Sequence, residues 1–245
     1  MQFLIDTHAH SVASGHAFNT IDEITEEAAR KGMTHISLTE HAPKMPGSCH
    51  ELYFSNLKAL TAEKFGIQRL FGVELNILDY TGKVDLPVFL LEQMDITIAS
   101  LHTPCIHSGS IQENTAAVIN AIKNPYVNII GHPDDGRYPL DYEKVVLAAK
   151  EYHTLLELNN SSLKVTGPRT DARRNDIEML QLCMKHGVSI TIGSDAHISE
   201  VIGDFDLAVE LIEELGFPQE LIANSDFAIL DMFLNHNPKK MRTYI

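Results

Sequence analysis

The chain has 245 residues, 44% hydrophobic and 21% charged, which excludes a disordered polymer, a collagen-like fibre and a coiled coil. Its 33 acidic residues outnumber 19 basic ones, for a net charge of −14, so a basic face for a nucleic-acid backbone is not expected. No apolar run reaches the ~18 residues of a membrane span, and no basic residue precedes the short apolar start, so no signal peptide is expected.

Residues 3–5 read as a first strand. Thr20-Ile21-Asp22-Glu23 is a capping box and opens a helix towards Gly32. Apolar runs at 36–38, 70–73 and 96–99 follow as strands. Ser110-Ile111-Gln112-Glu113 opens a helix ending near Lys123, and residues 127–130 form the next strand. Asp141 caps a helix to about Tyr152, followed by a strand at 155–158. A helix from about Asp171 to Lys185 ends before Gly187. The last strand lies at 189–192 and the last helix runs from Phe205 to Leu215, stopped by Gly216-Phe217-Pro218. The strand runs are rich in Ile, Val and Leu with little alternation, as in strands buried on both faces of a parallel sheet. Seven such alternations fit a barrel near the size of the eight-fold one, with an open doubly wound sheet as the alternative. Composition is even and no linker interrupts it, so residues 1–245 read as a single domain. No G-x-G-x-x-G or P-loop motif appears. Cys49, Cys105 and Cys183 are odd in number and unpatterned, as reduced thiols of a cytoplasmic protein would be.

The 13 histidines are many for this length. Seven lie at or just past strand C-termini, which converge on one face of a parallel barrel. His8, His10 and His16 follow the first strand, and His41 the second. Glu74 follows the third, His102 the fourth, His132 the fifth, and Asp195 and His197 the last. His8 and His10 are two apart, as are Asp195 and His197, so each pair should point one way. Nine candidates exceed one ion's needs and suit two or three divalent ions sharing a carboxylate. Imidazole with carboxylate favours zinc first, with manganese or iron as alternatives. His107 lies in the loop after His102, within reach of the site. His35 reads as a strand entrance, His186 as a helix C-terminus, and His50, His153 and His236 as surface or helix residues.

The chain resembles the PHP phosphoesterases, named for polymerase and histidinol phosphatase, and within them the YcdX-type phosphatases. The family's D-x-H-x-H appears as Asp6-Thr7-His8-Ala9-His10, and T-D-H as Thr39-Glu40-His41. G-x-E appears as Gly72-Val73-Glu74, and S-D-[AS]-H as Ser194-Asp195-Ala196-His197. Residues 157–162, Glu-Leu-Asn-Asn-Ser-Ser, look like the YcdX-type subgroup. Glu40 replaces the usual aspartate, which should alter the orientation of His41.

The resemblance implies an α/β fold, a distorted (β/α)7 TIM-like barrel. It implies that His8, His10, Glu74 and Asp195 hold one ion, Glu74, His102 and His132 a second, and His16, His41 and His197 a third. It implies metal-dependent hydrolysis of phosphomonoesters of a small metabolite, with Glu74 and Asp195 acting in catalysis around a metal-bridged hydroxide. Arg137, Arg169, Arg173 and Arg174, with His107, are the candidate substrate contacts. The expected partner is a small phosphate ester, with no membrane and no nucleic acid, and with room for a homo-oligomer. Alternatives are a phosphodiesterase or exonuclease of the same family, an amidohydrolase and a non-catalytic metal-binding module. No lysine follows a strand run to bridge metals in the amidohydrolase manner.

Overall fold

The computed structural model describes residues 3–234, so His236 lies outside them. Strands β1 (Ile5–Asp6), β2 (His35–His41), β3 (Glu63–Lys64) and β4 (Ile67–Asn76) alternate with helices α1 (Ile21–Arg30) and α2 (Glu51–Asn56). Then come α3 (Val88–Leu91), β5 (Ile96–Ser100), α4 (Ile111–Ile122), β6 (Ile129–Ile130), α5 (Tyr142–Tyr152) and β7 (Leu155–Asn159). Helix α6 (Ala172–His186), β8 (Ile190–Gly193), α7 (Asp206–Leu215) and α8 (Phe227–Asp231) complete the order. Seven strands pair in parallel in the order β1-β2-β4-β5-β6-β7-β8, the topology expected of a TIM-like barrel.

Local signals place the helices. Thr20 and Ser110 each complete a capping box at the start of α1 and α4. Asp141 caps α5, while Gly187 and Gly216 end α6 and α7 in left-handed geometry. Their apolar faces, such as Ile24 and Ala28 of α1 and Met179 and Leu180 of α6, pack in one core cluster with outward-facing strand residues such as Leu38 and Val73.

The strands differ from their apolar runs in a way that matters. β2 continues through His41 and β4 through Asn76, so His41 and Glu74 are strand residues paired in register rather than loop residues. Their polar side chains point inward at the end of the barrel, which breaks the apolar run without ending the strand. The antiparallel β3 had no signal: its Phe65-Gly66 turn has both residues at positive φ, a geometry usually announced by Asn-Gly or Asp-Gly.

The sheet closes between β1 and β8. Ala9 bridges Ala196 in parallel, and His10 N–H donates to the Ala196 carbonyl at 2.8 Å. Lower in the seam Asn224 accepts from Ile192 N–H at 2.9 Å and donates to the carbonyls of Ile5 and Ile192. One carboxamide thus satisfies backbone groups that a shorter sheet would leave open. Two glycines give the interior its room. A Cβ on Gly193 would meet Glu157 Oε1 at 2.1 Å, and one on Gly131 would meet Ser100 Oγ at 2.3 Å. Among the described residues, no helix is long and apolar enough to cross a membrane.

Candidate metal centre

By period-two alternation Leu70, Gly72, Glu74 and Asn76 share the inner face of β4. Leu70 packs low in the barrel with Ile5, Ile98, Ile129 and Leu155. Glu74 stands above that apolar layer, fully buried. Its Oε1 is 2.9 Å from His132 Nε2 and 3.1 Å from His102 Nε2. Its Oε2 is 2.6 Å from His41 Nδ1, 3.5 Å from His10 Nε2 and 3.6 Å from His8 Nε2. Asp195 Oδ1 lies 3.4 Å from His10 Nε2 and 3.6 Å from both His8 Nε2 and His197 Nδ1. His16 Nε2 faces His197 Nε2 at 3.1 Å at the exposed rim. All nine histidine and carboxylate candidates therefore meet in one cluster.

Backbone geometry helps to build it. His132 and Asp195 have φ of +30° and +52°, conformations that cost energy in non-glycine residues and gather at functional sites. Asp195 and His197 are thus brought together by a left-handed turn beyond β8, not by the strand alternation their spacing suggested. His8 and His10 lie beyond the short β1 and flank Ala9, whose bridge to Ala196 holds both pairs at the seam.

The outer nitrogens are fixed. His8 Nδ1 donates to Glu157 Oε1 at 2.7 Å, and His197 Nδ1 donates to the Asp195 carbonyl at 3.0 Å. Ser14 Oγ gives its proton to Glu40 at 2.6 Å, so His10 Nδ1, 3.0 Å away, must donate to Ser14. This turns Nε2 of His8 and His10 inward, 3.0 Å from each other, while His197 presents Nε2 to His16. Glu40, expected to orient His41, accepts from Ser11 and Ser14 and so acts on His10 through Ser14. Ser14 reaches His41 only through that residue's backbone N–H.

Protonation follows from this packing. Burial alone would push Glu74 up, but His102, His41 and His8 hold its carboxyl well below the usual range. Burial likewise opposes Asp195, and His8 and Arg169 outweigh it and hold Asp195 well below. Burial and the neighbouring His41 and His197 push His10 well below the ordinary imidazole value. Burial lowers His102 to about 4 against the pull of Glu74. His8 is the exception: Glu157, Asp195 and Glu74 override burial and raise it well above that value.

These residues fit divalent cations. His41 Nδ1, Glu74 Oε2, His102 Nε2 and His132 Nδ1 are buried without a well-formed hydrogen bond. Among the described residues, three ligand groupings have all donor atoms within 4.8 Å: His10-His41-His197, His8-His10-Glu74 and His41-Glu74-His102. The donors are imidazole and carboxylate without thiolate, the set that suits zinc, manganese or iron.

The arginine candidates separate. Arg169 is nearly buried, with Nη2 2.8 Å from Asp195 Oδ2 and Nη1 3.1 Å from Ser162 Oγ. Arg137 is held by Asp135, at 2.6 Å. Arg173 is instead paired with Glu214 of α7, and the 75% exposed Arg174 side chain lies beside Asp171. His107 is exposed, with its carbonyl accepting from Tyr80. His50 caps α2, and His35 and His153 stack on Phe227 and Phe233. Glu157, Ser14 and Asn76, which bond His8, His10 and His102, carry no ligand spacing that singles them out in the sequence. Glu157 was visible only as part of the 157–162 string, because an isolated glutamate in a buried strand has no ligand spacing to announce it.

A parallel barrel carrying a buried histidine–carboxylate centre at its strand ends defines a TIM-like barrel with a metal-competent site. The chain belongs to the PHP family, whose domain matches residues 6–230. A Clostridium novyi protein named Probable phosphatase is 44% identical over 245 residues, all of this chain and 95% of that one. A Caldicellulosiruptor bescii protein of the same name is 46% identical over 235 residues, 96% of this chain and 97% of that one. The crystal structure of a Lactococcus lactis histidinol phosphate phosphatase, complexed with zinc, L-histidinol and phosphate, superposes with a TM-score of 0.63. It is 21% identical, with coverage of 89% of this chain and 95% of that chain, and so supports the fold. The chain is a phosphoesterase hydrolase, a phosphatase of the PHP family.

Proposed function

We propose that this phosphatase hydrolyses phosphomonoesters of a small metabolite, using two or three divalent cations, zinc foremost. The observation that carries the reading is the buried Glu74 carboxylate with five imidazoles around its two oxygens. Following the family pattern, His8, His10, Glu74 and Asp195 would hold one ion, Glu74, His102 and His132 a second, and His16, His41 and His197 a third. The His8-His10-Glu74 grouping supports the first set. Divalent cations at such a centre supply Lewis acidity towards phosphoryl oxygens and lower the pKa of water to about 7.

The chain's own residues do the rest. Neutral His10 and His102 offer lone pairs, and Glu74 and Asp195 offer negative charge at neutral pH. Asp195, kept ionised beside Arg169, serves to hold and to accept; it is a poor proton donor to the leaving group. Arg169 adds a planar donor fork that suits phosphoryl oxygens, oriented by Asn159 and Ser162. We read residues 1–245 as one such domain, acting in the cytoplasm on a soluble ester.

The test compares initial rates on a chromogenic phosphomonoester and its matched diester, with zinc- or manganese-loaded protein. Monoester turnover at least ~10-fold above diester turnover is expected, abolished by chelation. A diester preference would shift the activity to a phosphodiesterase or exonuclease. Chelator-resistant turnover, or none on either ester, would overturn the reading.

A further inference from the structure

Asn76 ends β4 two positions beyond Glu74, on the same inner face. Its side-chain Nδ2 donates to Asp85 Oδ2 at 2.8 Å and to the Ala42 carbonyl at 3.2 Å. Its backbone N–H donates to Asp85 Oδ1 at 2.9 Å, and Lys44 N–H donates to Asp85 Oδ2 at 2.9 Å. The Asp85 carboxylate therefore meets donors on both oxygens. Both protons of the Asn76 amide nitrogen are committed to acceptors, so the carboxamide must present its oxygen to His102 Nδ1, 2.7 Å away. An oxygen there can only accept. His102 must then carry a proton on Nδ1 and keep an open lone pair on Nε2, 3.1 Å from Glu74 Oε1.

We propose that Asp85 and Asn76 are positioning residues that hold His102 in its metal-binding tautomer. The proposal rests on the reading of His102 as a metal ligand. The same contacts tie together three parts of the site. Ala42 and Lys44 lie just past β2, Asp85 lies in the segment after β4, and Ala42 N–H bonds the Glu74 carbonyl at 2.8 Å. A clamp that served only to hold these segments would affect stability without choosing a tautomer.

The test reads imidazole nitrogens by 15N NMR in metal-free full-length protein labelled at histidine, and zinc affinity by chelator competition. Wild-type His102 should be protonated on Nδ1 with Nε2 free. D85A frees the carboxamide to rotate, and should yield a mixture of tautomers with a zinc dissociation constant raised about 10- to 100-fold. D85N keeps an oxygen for Asn76 Nδ2 and Lys44 N–H but turns its NH2 towards the Asn76 backbone N–H, so it should melt lower while keeping the wild-type tautomer. Wild-type His102 with a bare Nδ1 would overturn the proposal whether or not any variant folds. So would D85A that melts lower yet keeps both tautomer and zinc affinity. Protein that binds no zinc but shows the Nδ1-protonated form would sink the metal reading while supporting the hydrogen-bond chain.

Discussion

The two ends of the barrel are built from the same strands and obey opposite rules. At the N-terminal end Ile5, Leu70, Ile96, Ile98, Ile129 and Leu155 fill the interior, sealed by Ala223, Leu230, Phe233 and Leu234 of the C-terminal segment. Asn128 fastens that seal by donating to the Phe233 carbonyl at 2.7 Å. At the C-terminal end the interior holds Glu74, Asp195, Glu157 and stacked imidazoles, with several buried polar atoms lacking well-formed hydrogen bonds. One end gains stability from apolar burial, and the other carries charge that only cations and paired groups can balance. Two steps along β4 separate Gly72 from Glu74, so the change of regime is sharp.

The largest expected effect tests the polar end. Glu74→Gln neutralises one of the three carboxylates there and removes the symmetric carboxylate between His41 and the His102–His132 pair. Activity should fall by at least ~10^3-fold, beyond the loss of one electrostatic donor. Metal content by elemental analysis should fall with it. Full activity with full metal content would remove Glu74 from the bridging role.

The apolar end should break differently. Leu230 is fully buried in the plug. Leu230→Ala should cost ~2–5 kcal/mol of stability, read as a lower denaturant midpoint or Tm. Turnover per folded molecule and zinc affinity should stay within about twofold of wild type. A large loss of turnover at full folding would show that the ends are coupled and not separable.

Next in size is Glu157→Gln. Glu157 accepts from His8 Nδ1 and from His132 N–H, and so orients two of the proposed ligand residues from one strand. Zinc affinity should weaken by about 10- to 100-fold while the fold persists. Unchanged affinity would show that Gly193 and Glu157 shape the interior without tuning the ligands.

Much of this contrast is legible in the sequence. Short apolar runs marked all seven parallel strands, since burial on both faces leaves little but Ile, Val and Leu. Capping boxes at Thr20 and Ser110 marked helix starts because their chemistry is local. The nine ligand candidates stood out because strand ends repeat. What lay beyond reach was everything set by pairs distant in sequence. Asn224 reaches Ile5 across 219 residues, and Glu157 reaches His8 across 149. Arg169, Arg173 and Arg174 look equivalent in sequence, yet helix α6 turns Arg173 to Glu214 while the preceding loop sends Arg169 to Asp195. Strand limits failed where an inward polar residue replaced an apolar one, as at His41.

The smallest effect concerns a charge near the polar end that the ligand ring does not use. Asp176 of α6 and Asp134 after His132 are fully buried, and none of their carboxylate oxygens makes a well-formed hydrogen bond. Burial, then the charges of Asp134 and Glu157, raises Asp176 well above the ordinary carboxylate value, against the opposing pull of Arg169. An acid raised on folding binds more protons in the native state than in the unfolded chain across the interval between the two values. Stability from this group is therefore full below the unfolded value of about 4 and is lost as pH rises through the raised native value. Asp176→Asn keeps the shape and removes the charge. Above that interval the variant should be more stable than wild type by roughly 1–3 kcal/mol, the cost of an unsatisfied buried group. At about pH 4 and below, the two melting temperatures should converge. A variant that melts lower at neutral pH would mean that the Asp176 anion is needed beside Arg169, and that the polar end extends behind its ligand ring into α6.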